Sequence, residues 1–188
     1  MKHPSNRDFF AYWDERRGHS RAPDRSDIEP AAVRELLGDI FVLACDADTR
    51  FPFRMAGTRL CALLGGDMKD KSFPGQFAAG SRGEIEDILT VVCEEMLPAV
   101  AGVKAPSPDG STAHLELLLL PFNARAYEPI SLTGLLAPFD TDNGTHGTLG
   151  SLEIVSFRYM HRPPERLVPR ALRKLALARG LMVYEGLR

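Results

Sequence analysis

The sequence predicts an α+β fold, with strands on either side of a central helical region. A continuous apolar run over residues 40–45 is typical of a buried strand. In residues 51–56 every second residue has a large apolar side chain, which is the period of a strand with one buried face. Between residues 85 and 97 apolar side chains recur at helical spacing, with acidic residues on the opposite face, which indicates an amphipathic helix.

The composition is that of a globular protein, since 44% of the 188 residues are hydrophobic, enough for one domain with appendages. A formal net charge of −2 gives no general attraction to nucleic acid or to an acidic membrane surface. No apolar run is long enough to span a bilayer, and the N-terminus is polar rather than a secretory leader. Three widely spaced cysteines, Cys45, Cys61 and Cys93, form no CxxC pair and suit a reducing compartment, so we expect a cytoplasmic protein.

Residues 1–38 are predicted to form an N-terminal helical flank. A first helix over residues 5–17 ends at Gly18, and a second runs from Pro30 to about residue 37. The first helix carries an apolar stripe made of Phe9, Phe10 and Trp13. This stripe packs on the helix's own domain or, alternatively, on a second copy of the chain, in which case the three residues form a homodimer interface.

Residues 39–160 are predicted to form the core of the domain. The strands at 40–45 and 51–56 make a hairpin about the polar turn at 46–49. Thr58 caps a short helix that Gly65 and Gly66 end, and Ser81 with Glu84 forms a capping box at the start of the long helix.

Further strands are expected at 99–105, 112–121 and 130–139, the first two joined by a turn at 106–110. Residues 140–147 are polar and predicted to be a loop, and residues 151–160 are a further strand or an extension. The tail, residues 161–188, is rich in arginine and has apolar residues at helical spacing, so we expect a basic helix. It packs on the domain, docks a partner or, least favoured, contacts DNA.

Two segments carry a resemblance to a known family. The motif RAPDRSDIEP at residues 21–30 and the motif AGTRL at residues 56–60 resemble small bacterial PAS-domain proteins, formerly catalogued as a domain of unknown function. The resemblance covers about the first three quarters of the chain. It implies a PAS-like five-stranded antiparallel sheet with short covering helices, here with flanking N- and C-terminal helices. It brings no catalytic signature, and it implies a sensing or protein–protein contact role.

A small apolar ligand, if one binds, is expected between the sheet and the two covering helices. Most of the candidate lining residues would be core residues even without a ligand: Phe53, Met55, Leu60, Leu64, Phe73, Ile85, Leu89, Val92, Leu117, Leu119 and Leu135. We predict no cofactor or metal. Cys93 is the long helix's sole candidate haem ligand, the surroundings of Cys61 do not match the reactive-cysteine motif of flavin photosensors, and no phosphate loop surrounds Gly57.

The leading hypothesis is a non-catalytic sensory or regulatory module that binds a small ligand, a protein partner or both, and signals in trans to another chain. A second hypothesis uses His114 and Glu116, which share one face of a strand, as the acid–base pair of an isomerase- or dehydratase-like enzyme. The alternative for this pair is an exposed sheet face without chemistry. A third hypothesis is a purely structural protein that dimerises through the helix of Phe9 and Trp13.

Overall fold

Six antiparallel strands form the central sheet of the computed structural model, which describes residues 1–124, 130–139, 147–160, 172–178 and 181–186. The strands are β1 (Ile40–Ala44), β2 (Phe53–Ala56), β3 (Ala99–Pro106), β4 (Thr112–Pro121), β5 (Ser131–Pro138) and β6 (Glu153–Tyr159). Their spatial order is β2-β1-β5-β4-β3-β6. The predicted α+β antiparallel fold is therefore confirmed, but with six strands instead of five. The additional strand is β6, which pairs with β3 at the sheet edge.

Among the described residues, three helices flank this sheet: α1 (Pro4–Arg17), α2 (Thr58–Leu64) and α3 (Ala79–Glu94). Two 3-10 turns, Arg25–Asp27 and Pro74–Gln76, lie in the connections. α2 and α3 contribute to the apolar cluster on one face of the sheet, and α1 contributes to the cluster on the other. We call these clusters the helix-side core and the α1-side core.

Strand β4 shows why the sheet is buried on both faces. Leu117 and Leu119 lie in the helix-side core, whereas Leu118 and Leu120 lie in the α1-side core. Because successive side chains of a strand point to opposite faces, a run of four leucines is what a doubly covered central strand requires.

The second predicted helix of the N-terminal flank is wrong, because residues 30–38 form a series of turns. Carbonyl groups in this segment accept hydrogen bonds from α2 instead of from the next turn of a helix. The Gly38 carbonyl accepts from Leu60 N–H at 3.0 Å, and the Glu35 carbonyl accepts from Arg59 Nη2 at 2.6 Å.

The motif at residues 56–60 builds this contact. A Cβ atom on Gly57 would collide with the carbonyl oxygens of Leu37 and Gly38, so only glycine lets the chains come this close. Arg59 donates from Nε to Asp39 Oδ1 at 2.9 Å and from Nη2 to Asp39 Oδ2 at 2.6 Å. This bidentate pair raises the pKa of Arg59 above its ordinary value. The motif therefore carries structure rather than chemistry.

The helix ends differ from the predicted caps. Gly57, not Thr58, is the N-cap of α2, although Gly65 ends α2 in the left-handed conformation, as its sequence indicates. α3 starts at Ala79, so the capping box of Ser81 and Glu84 is wrong. The Ser81 hydroxyl instead accepts from Ile154 N–H at 3.1 Å and ties α3 to β6.

The described part of the tail consists of two strands, β7 (Leu172–Ala178) and β8 (Leu181–Gly186), which pair with each other in antiparallel fashion. The helix predicted there is wrong for these residues. The sequence of β8 includes Val183 and Tyr184, residue types that favour strands. The rest of the predicted tail helix and the predicted loop at 140–146 lie outside the described residues.

Candidate functional site

Most of the predicted ligand-lining residues do share one region, but they pack against each other. Phe53, Leu60, Phe73, Ile85, Leu89, Val92, Leu117 and Leu119 are all buried in the helix-side core, and Leu64 lies partly buried at its edge. Leu135 is on the other face of the sheet, in the α1-side core, because it pairs with Leu118 and Ile40.

Met55 is 43% exposed and does not join the helix-side core. A bulge between Val42 and Leu43 is the reason. On one side of the bulge Phe53 pairs with Leu43, and on the other side Met55 pairs with Val42. Leu43 and Val42 are neighbours in β1, so their side chains point to opposite faces of the sheet. Met55 is therefore directed to the face opposite that of Phe53.

Four phenylalanine rings fill the middle of the helix-side core. Phe73 stacks on Phe41 with ring centroids 5.0 Å apart, and it meets Phe53 and Phe77 edge-on at 5.4 Å. Offset and edge-on ring pairs of this kind are stabilising. The protein's own side chains thus occupy the region where a ligand was expected.

A cleft of about 560 Å³ opens on the sheet face that carries α1, beyond the N-terminal end of that helix. We call it the sheet-face cleft. Its apolar lining includes two of the most exposed large apolar side chains, Phe139 and Val155, at 41% and 60%. Its polar lining is Lys2, His114, Glu116, Ser156 and Arg158.

Glu116 is the buried polar residue of this cleft, with 5% of its surface exposed. Its Oε2 accepts from Lys2 N–H at 2.6 Å, and its Oε1 accepts from His3 N–H at 3.0 Å and from Asn6 Nδ2 at 3.1 Å. Asn6 Nδ2 also donates to the Glu116 carbonyl at 3.0 Å. The carboxylate therefore binds the two residues that precede α1 and the Asn6 side chain in its first turn, near the helix end where a negative charge is favoured.

These contacts change the interpretation of the His114–Glu116 pair. Both residues line one cleft. His114 is exposed, as the alternative of an exposed sheet face predicts, whereas Glu116 is buried. Both carboxylate oxygens accept hydrogen bonds from the N-terminal segment, so Glu116 has a structural role that the sequence did not predict. Its partners are more than 100 positions away in sequence, so no local pattern could have identified them.

The predicted interface residues lie mostly inside the protein. Phe9 and Trp13 are fully buried in the α1-side core, and Trp13 Nε1 donates to the Pro121 carbonyl at 3.0 Å. Phe10 is partly exposed and stacks on Trp13 at 6.0 Å. Of the two arrangements left open by the sequence, α1 adopts the one in which it packs on its own domain.

Residues 1–151 match a family model described as a PAS domain. The chain belongs to the PAS family. This confirms the resemblance drawn from the two motifs, and it makes the protein a member of a family of sensory modules. No curated protein matches the chain.

Several solved PAS structures are similar to this chain. The PAS domain of an HTR-like protein from Haloarcula marismortui is 21% identical, with a TM-score of 0.42, over 58% of this chain and 90% of that chain. The PAS domain of Bordetella pertussis BvgS is 14% identical, with a TM-score of 0.44, over 58% and 82%. The Rhodobacter sphaeroides LOV protein is 9% identical, with a TM-score of 0.45, over 78% and 73%.

Two further features of this PAS domain bear on its chemistry. Cys45 and Cys93 are joined by a disulfide bond, which the sequence did not predict, and Cys61 is a free thiol. The part of the chain that the structure describes contains no cluster of three or more His, Cys, Asp or Glu side chains suited to a metal ion. Among those same residues, no helix combines the length and the apolarity that crossing a bilayer demands.

Proposed function

We propose that this PAS domain is a non-catalytic sensory module that binds a small, mainly apolar ligand in the sheet-face cleft and signals in trans to a protein partner. The observation that carries the proposal is the position of Glu116. This residue lines the cleft and also holds the first turn of α1. Whatever occupies the cleft therefore contacts the group that fixes α1 to the sheet.

The lining defines the chemistry of the ligand. Phe139 and Val155 offer apolar contact, and Lys2 and Arg158 offer positive charge beside it. The negative charge of Glu116 offsets one of these two positive charges, so Lys2, Arg158 and Glu116 together are net positive. These groups favour an apolar molecule that carries one negatively charged group.

The mechanism is a shift between two packings of α1. A ligand that binds one arrangement of Lys2 and Glu116 more tightly than the other shifts the population toward it, and a partner protein reads the altered helix surface. This requires no reacting group in the cleft. It accounts for a carboxylate that is committed to hydrogen bonds rather than free for proton transfer.

Native mass spectrometry of the protein purified from its own host tests the proposal. We expect a retained small molecule in the wild type, lost in Val155→Glu, which places a charge in the cleft. Met55→Glu is the matched control, because Met55 is also exposed on an edge strand but lies outside the cleft, and this variant should keep the molecule.

Each contrary result has a clear meaning. Protein that carries no small molecule in any variant would contradict ligand sensing and favour an interaction module. A molecule retained equally by Val155→Glu would place the ligand elsewhere.

We propose a homodimer as well, and because Phe9 and Trp13 are buried, self-association would use other surfaces. Sedimentation velocity that finds a monomer at all concentrations would overturn this part of the proposal.

A further inference from the structure

The disulfide bond joins two elements that are far apart in the sequence. Cys45 directly follows β1, Cys93 lies in the last turn of α3, and the two are 48 positions apart. Both residues are half-buried and pack at the border of the helix-side core. Both cysteines are thus partly accessible to solvent, which attack by a thiol requires.

The chain next to each cysteine adopts strained conformations. In the loop after Cys45, Arg50 and Phe51 have positive φ angles of 58° and 48°, and after Cys93, Met96 has a φ of 58°. Residues other than glycine keep such angles only where the surrounding structure imposes them. The bond thus lies between two segments that depend on their surroundings to hold their shape.

One of these segments reaches the end of α1. Residues 94–98 form one side of a second cleft, of about 530 Å³, and the other side is formed by Arg17 and residues 19–21, at and just after the end of α1. The segment that follows α3 and the end of α1 therefore line the same cleft.

We propose that Cys45 and Cys93 form a site of reversible thiol–disulfide exchange that a dithiol reductant opens, and that opening it loosens the end of α3. A thiolate of the reductant attacks one cysteine sulfur, the S–S bond breaks, and the other sulfur leaves as a thiolate and takes up a proton. The second thiolate of the reductant then attacks the mixed disulfide. Two electrons pass to the protein, the reductant becomes a disulfide, and both cysteines end as thiols.

This proposal goes beyond the ligand-binding function and does not depend on it. It also resolves a conflict between the sequence and the structure. The cysteine pattern suits a reducing compartment, where lasting disulfides are rare and those that do form are usually transient or redox-sensing. A cytoplasmic location, which we propose, would make this bond a switch rather than a permanent crosslink.

Thiol labelling of the full chain tests whether the bond forms and opens. Protein kept without reductant, denatured and treated with N-ethylmaleimide should take up one label, on Cys61. Protein first treated with dithiothreitol while still folded should take up three. Three labels without reductant would show that the bond does not form. A single label after reductant, with three appearing only when reductant is added to denatured protein, would show a permanent crosslink. Either result overturns the proposal.

Hydrogen–deuterium exchange tests whether opening matters to the fold. We expect faster exchange in residues 90–98 and 46–52 after reduction, in the wild type and in Cys61→Ser alike. Cys45→Ser and Cys93→Ser should resemble reduced wild type whether or not dithiothreitol is present. Should either variant fail to fold, the wild-type comparison decides alone. Identical exchange in the oxidised and reduced wild type would contradict a switching role.

Discussion

Glu116 and Gly57 each hold one end of the N-terminal segment against the sheet. Glu116 accepts hydrogen bonds from Lys2, His3 and Asn6, which places the start of α1. Gly57 lets the chain approach the turn at residues 37–38, which precedes β1. The segment between these two points crosses the α1-side face of the sheet, so these two residues fix its ends while apolar packing holds its middle.

Replacing Glu116 by alanine should lower the free energy of unfolding by about 1–3 kcal/mol, because buried N–H donors lose a charged acceptor. Urea denaturation measures this loss. Glu153→Ala is the control, since the ion pair of Glu153 with Lys104, at 3.0 Å, is exposed and should contribute no more than about 1 kcal/mol. Equal effects of the two substitutions would contradict the anchoring role of Glu116.

Alanine at Gly57 should destabilise the domain by about 1–3 kcal/mol, because the added methyl group overlaps two carbonyl oxygens that belong to fixed backbone. Gly83 provides the opposite case. It lies inside α3 with open space around it, so Gly83→Ala should stabilise the domain by about 0.5–1 kcal/mol. Thermal unfolding of both variants gives the comparison. A neutral Gly57→Ala would mean that the close approach is not required.

Helix α1 acts as part of the core rather than as a free arm. Phe9 and Trp13 are fully buried against β4 and β5, and the indole N–H is satisfied by a backbone carbonyl. On the other face, α3 is held to the edge strand β6 by Ser81. The elements that flank the sheet are therefore fixed to it by specific polar contacts as well as by apolar packing.

Trp13→Ala should lower the free energy of unfolding by roughly 3–5 kcal/mol, as expected for a large aromatic side chain removed from a core. Phe10→Ala should cost clearly less, because Phe10 is partly exposed. Denaturation of the two variants in parallel shows whether α1 is part of the domain core or forms a dimer interface. In the dimer case, both substitutions would act mainly on the association constant, measured by sedimentation.

Tyr159 at the end of β6 should make the domain sensitive to alkaline pH. Desolvation, and then the nearby charges of Asp87 and Glu95 on the α3 side, raise the pKa of Tyr159 above its ordinary value. A raised pKa means that the folded state favours the protonated phenol. This contribution is complete below the unfolded-state pKa of about 10 and is lost as pH rises through the folded-state pKa. Tyr159→Phe should flatten the fall in stability above pH 10, and an unchanged pH profile would argue against this assignment.

Within the described residues the six-stranded sheet is covered on both faces, and the sequence predicted this only in part. Local patterns identified β1 to β5 and the buried faces of β4 and α3, but they left β6 open and predicted a helix where β7 and β8 lie. They could not identify the bulge that turns Met55 away, since a bulge depends on the partner strand. Nor could they find the partners of Glu116 and Ser81, or the pairing of Cys45 with Cys93, because these contacts join residues 48 or more positions apart.

A chain that ends at Met160 should fold to the same sheet. All six strands of that sheet, both apolar cores and the disulfide bond lie within residues 1–160, and the family match ends at residue 151. Since burial of apolar surface is the main source of stability, the truncated chain should retain the circular dichroism of a folded domain and a melting temperature within about 2–4 °C of the full chain, a shift equivalent to roughly 1 kcal/mol. A truncated chain that is unfolded, or that melts far lower, would show that residues 161–188 belong to the core. The tail would then be part of the domain itself rather than an appendage to it.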